Sequence, residues 1–175
     1  MKNFKDIHYL LTGSIEQRKV YELLTEECIM QMLSRYDPIL VGTFPLDIQV
    51  STSDIDLICY ANDLAGFTYY LSESFGKHQN FELNHLPQLD PPAIVANFII
   101  RSQEIEIFGQ DIPSDQQMGY LHLAVEHQIL LKYGQTFKEN IIQLKKNGIK
   151  TEPAFCQLLG LSGNPYIELI KYNVS

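Results

Sequence analysis

A chain of 175 residues that is 45% hydrophobic can bury one core without disulfide support. Its net charge of −8, with no basic run interleaved with aromatics, weighs against broad binding of a long nucleic acid. The opening MKNFKDIHYL is too polar for a signal peptide, and apolar stretches such as Ala93 to Ile100 fall far short of a membrane span. The expectation is one domain over residues 1–175, in the cytoplasm.

In chain order, Ser14 and Gln17 have the spacing of a capping box and open a helix over Ile15 to Leu33, with Val20, Leu23, Leu24 and Cys28 on its apolar stripe. The pattern then changes to period two, which predicts strands over Ile39 to Val41 and Ile55 to Tyr60 around a loop through Pro45 and Ser51. A helix follows from Asp63 to Phe75, stopped by Gly76. A strand pair, Ile94 to Ile100 and Glu104 to Phe108, comes after Pro91-Pro92. Capping-box pairs Ser114/Gln117 and Thr136/Glu139 predict helices over Asp115 to Tyr133 and Phe137 to Lys146, ended by Gly134 and Gly148. Each of these terminal glycines suits a left-handed cap. Two short helices follow Pro153 and Pro165. Together these elements predict an α+β fold: a small mixed β-sheet with helices packed on one face over residues 15–110, and a C-terminal helical part over 114–175.

The three cysteines, Cys28, Cys59 and Cys156, sit among apolar neighbours and read as reduced core thiols. Positive charge concentrates at Arg18, Lys19 and the stretch Lys132 to Lys150, as solvated helix faces or as a local patch for a nucleotide.

The segment from Val41-Gly42-Thr43 to Asp54-Ile55-Asp56-Leu57-Ile58 carries the chemistry. Alternation places Asp54 and Asp56 on one face of a strand and Ile55, Leu57 and Cys59 on the other. Glu104 and Glu106 alternate with Ile105 and Ile107 in the same manner. If the strands are neighbours, their carboxylates crowd, and each raises the pKa of the next unless a cation intervenes. No Lys or Arg occurs between Arg35 and Lys77, so no side chain local in sequence supplies that charge. An oxygen-only ligand set favours Mg²⁺ or Mn²⁺. An isolated Asp-x-Asp is more often a solvent-facing strand. The ordered set of Gly-Thr, Asp-Ile-Asp and a later strand Glu favours a metal site.

These residues resemble the nucleotidyltransferase superfamily, the polymerase-beta-like fold, with its hydrophobic-Gly-Ser turn, its Asp-hydrophobic-Asp strand and a third carboxylate on an adjacent strand. More closely, the chain resembles the DUF4269 family of bacterial nucleotidyltransferase-like proteins. That resemblance rests on Asp37-Pro38-Ile39-Leu40-Val41-Gly42-Thr43, Ser53-Asp54-Ile55-Asp56, Glu106-Ile107-Phe108-Gly109-Gln110 and Lys150-Thr151-Glu152-Pro153-Ala154-Phe155. It implies that Gly42, Thr43 and Ser53 contact the triphosphate, and that Asp54, Asp56 and Glu106 are metal ligands and catalytic residues for two ions, with Glu104 in reserve for the third position. Two departures stand out: Thr43 where Ser is usual, and Glu where the third carboxylate is usually Asp.

The function this implies is metal-dependent transfer of a nucleoside monophosphate from a nucleoside triphosphate to a small-molecule or protein acceptor. The alternative is a non-catalytic nucleotide- or partner-binding regulatory module on the same fold, toxin–antitoxin pairs being one example. Convergence of Glu106 on Asp54 and Asp56 discriminates between the two. His122 and Glu126, four apart on a helix, share a face and have the chemistry of a base or a ligand. With His127 they do not have the spacing of a His-Glu-x-x-His site, and the expectation for the pair is structural. Phe67, Tyr69 and Tyr70 are expected to pack, and the spacing of His78 and His85 points to no metal.

Overall fold

The structure, a computed structural model, describes residues 2–174. Helix α1 (Ile15–Glu26) begins at the expected capping box, with Ser14 and Gln17 each accepting from the other's backbone. It does not run to Leu33. Cys28 takes a left-handed conformation (φ 55°), and a short α2 (Ile29–Met32) then re-aims the chain so that both Ile29 and Leu33 are fully buried. Cys28 is therefore exposed, against the expectation of a core thiol, whereas Cys59 and Cys156 are buried.

Strands β1 (Ile39–Val41) and β2 (Ile55–Tyr60) fall where the alternation places them, followed by α3 (Leu64–Phe75) with Asp63 as its N-cap. Gly76 ends α3 in a right-handed conformation rather than the expected left-handed cap. Strand β3 (Gln79–Leu86) has no counterpart among the predicted elements. It is an edge strand, largely exposed and polar, with a positive φ at Asn80 where its register shifts. β4 (Ala93–Ile100) and β5 (Gln103–Gln110) form a hairpin.

The five strands lie in the order β1-β2-β5-β4-β3. All neighbouring pairs are antiparallel except β2 with β5, which is parallel and aligns Asp56 with Glu106. One sheet face, carrying Ile55, Leu57, Ile105, Ile107 and Phe98, packs against α1 and α3 through Val20, Leu24, Phe67, Leu71 and Phe75. Aromatic edges reinforce it: Tyr36 and Phe67 meet at 4.6 Å between ring centroids. Phe67 and Tyr70 pack as expected, whereas Tyr69 is 69% exposed.

The C-terminal helices cover the other face at its β1 edge. Helix α4 (Met118–Lys146) is interrupted at Gly134, whose backbone is non-helical (φ 74°, ψ −163°), so it consists of two helices end to end that meet where the pattern separates them. It is followed by α5 (Thr151–Leu159) and α6 (Pro165–Lys171). The Ser114/Gln117 capping box does not form. Ser114 is fully buried in a 3-10 turn, and the Gln117 side chain donates instead to the Cys59 and Ile112 carbonyls, fastening the start of α4 to β2. At Thr136/Glu139, Glu139 accepts from Gln135. Leu123, Ile129, Ile141, Phe155 and Leu169 bury themselves with Ile39, Val41 and Ile58. Among the described residues no helix is long and apolar enough to cross a membrane.

Candidate functional site

Asp54, Asp56 and Ile58 share one face of the β2 segment, but the C-terminal helices cover only Ile58. The carboxylate end stays open and forms the floor of a cleft of about 1070 Å³. β1, β2 and β5 make one wall. The other carries His122 and Glu126 from α4, Lys145 from its last turn, Lys150, and Glu152 and Tyr166 from α5 and α6.

The structure brings the expected trio together. Asp56 and Glu106 are Cα partners across β2 and β5, and Asp54 stands just before β2. Burial, followed by the Asp54 and Glu106 carboxylates, pushes the Asp56 carboxyl well above the ordinary range. Burial likewise raises Glu106, with Asp54 and Glu104 adding to it, while the amide of Asn97 on β4 opposes it by donating to Glu106 Oε2 at 3.3 Å. Glu104 is exposed and lies outside the cleft lining.

Gly42 closes β1 at φ 70°, and a β-carbon there would stand 2.0 Å from Asp56 Oδ2. The glycine is required twice over: L side chains rarely adopt this backbone conformation, and the carboxylate fills the space a side chain would take. Thr43 is buried beside it, and its Oγ1 has no hydrogen-bond partner among the described groups. Ser53 also lines the cleft, but its Oγ accepts from the Val50 amide at 3.0 Å and so shapes the loop before Asp54.

The cation absent from the local sequence comes from far along the chain. Lys145 lies close enough to act on Asp54 and Asp56, although among the described residues its ammonium forms no ion pair and donates to Thr151 Oγ1 at 2.7 Å. Burial lowers its pKa, and the Glu126, Glu152, Asp56 and Asp54 charges oppose that. Charge in the Lys132 to Lys150 stretch was the only sequence signal for it. Arg18 and Lys19 lie elsewhere, the first bonded to the Gly13 carbonyl and the second to Glu16. His122 and Glu126 line the cleft and are only 6% and 3% exposed.

A search of curated proteins finds no match. Among the solved structures similar to this chain is one described as "Structure and function of the polymerase core of TRAMP, a RNA surveillance complex", at 14% identity and a TM-score of 0.49. The similarity covers 90% of this chain and 49% of that chain, so this chain spans about half its length. The model of the family described as "Domain of unknown function (DUF4269)" matches residues 22–172, a span holding every segment that carried the resemblance, and the chain belongs to that family.

Proposed function

We propose that this chain is a divalent-metal-dependent nucleotidyltransferase that moves a nucleoside monophosphate from a nucleoside triphosphate to an acceptor. The observation that carries this reading is the convergence of Asp54, Asp56 and Glu106 beside the Gly42-Thr43 turn in one cleft. It supports an enzyme over a regulatory module, which has no need of the third carboxylate.

The donor set suits the ions. It is all oxygen, it is crowded, and the buried Asp56 keeps its charge only at a cost that a cation relieves. Mg²⁺ or Mn²⁺ held by Asp54, Asp56 and Glu106 would neutralise phosphate charge and lower the pKa of the attacking hydroxyl. The remaining roles fall to the chain itself. Gly42 leaves the Asp56 carboxylate the room it occupies beside the turn, and the unpartnered Thr43 hydroxyl next to it is a donor for a phosphate oxygen. Lys145 and Lys150 bring positive charge to the opposite wall. A volume of about 1070 Å³ is at the upper end of small-molecule sites, enough for a nucleotide with an acceptor beside it.

The test is calorimetric titration of nucleoside triphosphates with Mg²⁺ or Mn²⁺ into the protein and an Asp54→Ala/Asp56→Ala variant. Metal-dependent binding to the first and not the second is expected, and an acceptor screen with labelled nucleotide follows. If neither protein binds any nucleotide, the reading is wrong.

A further inference from the structure

The wall of the cleft facing the Asp54 cluster holds a second group of ligating side chains with a different chemistry. His122 and Glu126 project from the same face of α4, and Glu152 comes from the first turn of α5. One ligand atom from each lies within 4.8 Å of the others. Ligands on a common zinc ion sit roughly 3–4 Å apart, a difference that small side-chain rotations close.

A histidine and glutamate this deeply buried normally satisfy each other or the backbone. These do so only in part. Glu126 Oε1 has no hydrogen-bond partner among the described groups, and the His122 ring makes no hydrogen bond of ordinary geometry, its near partner being the Tyr166 backbone. Lys145 is close enough to act on both glutamates, yet its ammonium is bonded to Thr151 and pairs with neither. Three buried or half-buried ligand groups thus converge, and the His122 and Glu126 atoms lack a close partner that a divalent cation supplies.

We propose that His122, Glu126 and Glu152 form a zinc site, distinct from the Asp54 cluster and on the opposite wall of the same cleft. One imidazole and two carboxylates match Zn²⁺ in ligand type and balance its charge, whereas the all-oxygen Asp54 set matches Mg²⁺. Three protein ligands leave a fourth position, and because all three residues line the cleft that position opens into it. A water or an oxygen of a bound molecule takes that place. The proposal does not rest on nucleotidyl transfer and survives if that reading fails.

Cobalt(II) serves as the probe, since it occupies zinc sites and absorbs visibly. The full chain is titrated with Co²⁺ in millimolar Mg²⁺, which occupies the all-oxygen set. The variants Glu126→Gln, Glu152→Gln and Asp54→Asn/Asp56→Asn are treated in parallel. The expected result is one Co²⁺ per chain, displaced by one Zn²⁺, with the same visible band in the wild type and the double Asp variant. Losing a ligand should weaken binding by at least about 100-fold in the two Glu variants, since removing even an outer-shell partner costs about 10–100-fold. Glu152 is half-buried at a helix start, so Glu152→Gln carries the test even if Glu126→Gln does not fold. No Co²⁺ binding to the wild type, binding lost in the double Asp variant but kept in Glu152→Gln, or binding indifferent to all three variants would each overturn the proposal.

Discussion

Asp56 on β2 and Glu106 on β5 face each other as Cα partners across the parallel strand pair. Burial and the neighbouring carboxylates hold the folded-state pKa of Asp56 above its unfolded value of about 3.9. Between those two values the folded chain keeps a proton that the unfolded chain has released, so stability falls as pH rises through that window. Asp56→Asn removes the penalty. Without added metal at pH 8 the variant should melt higher than the wild type, by about 2–4 °C for each kcal/mol relieved. Mg²⁺ should raise the wild-type melting temperature and leave the variant's unchanged. Thermal melts at pH 5 and pH 8, with and without Mg²⁺, check this, and a variant less stable than wild type at pH 8 would contradict it.

Gly42→Ala places a methyl group 2.0 Å from Asp56 Oδ2 on a backbone with φ 70°. The expected cost is about 1–3 kcal/mol. Because the carboxylate must move aside, Mg²⁺ stabilisation should be lost as well. Urea unfolding in the presence and absence of Mg²⁺ measures both effects.

Gly109→Ala should separate stability from the site. A β-carbon there would meet Phe67 Cε1 at 2.1 Å, on the face of β5 that packs against α3. Overpacking costs about 1–3 kcal/mol, but this face is turned away from the cleft. The folded fraction should bind Mg²⁺ with unchanged affinity, which titration below the melting transition reads directly.

Lys138 and Asp47 form a 2.7 Å ion pair, with side chains 21% and 31% exposed, tying the second half of α4 to the turn after β1. Burial works against the Asp47 charge, but hydrogen bonds from Lys138, Ser14 and Gln49 outweigh it and hold its pKa down. The stability from that lowered pKa is present above the unfolded value of about 3.9 and disappears as pH falls through the folded one. Lys138→Met should therefore cost about 0.2–1 kcal/mol at neutral pH. The difference from wild type should shrink toward zero in acid and be smaller in high salt.

What the sequence made legible follows from where its signals are local. The alternation of Asp54 and Asp56 with buried isoleucine and leucine placed β2 and its open face, because strand periodicity is written into adjacent residues. Glu106 was found the same way. β3 was missed because its apolar alternation is short, Phe81 and Leu83 between polar neighbours on an exposed edge, and the break at Cys28 because nothing in its composition marks a left-handed residue. The second wall of the cleft was read only in part. The spacing of four puts His122 and Glu126 on one face, but Lys145 and Glu152 join them through the packing of α4 and α5, and no spacing along the chain encodes that meeting.

The parallel pairing of β2 with β5 has a further effect. After Tyr60 the chain leaves the sheet, passes through α3, builds β3 and β4, and only then lays β5 beside β2. The Asp56 and Glu106 carboxylates thus share no surface until the 49 residues between them are in place. Bringing segments this distant together costs loop-closure entropy that the sheet contacts must offset. Whatever occupies the cleft floor consequently binds the finished fold and ignores its precursors, so that for this chain ligand binding and unfolding form one linked equilibrium.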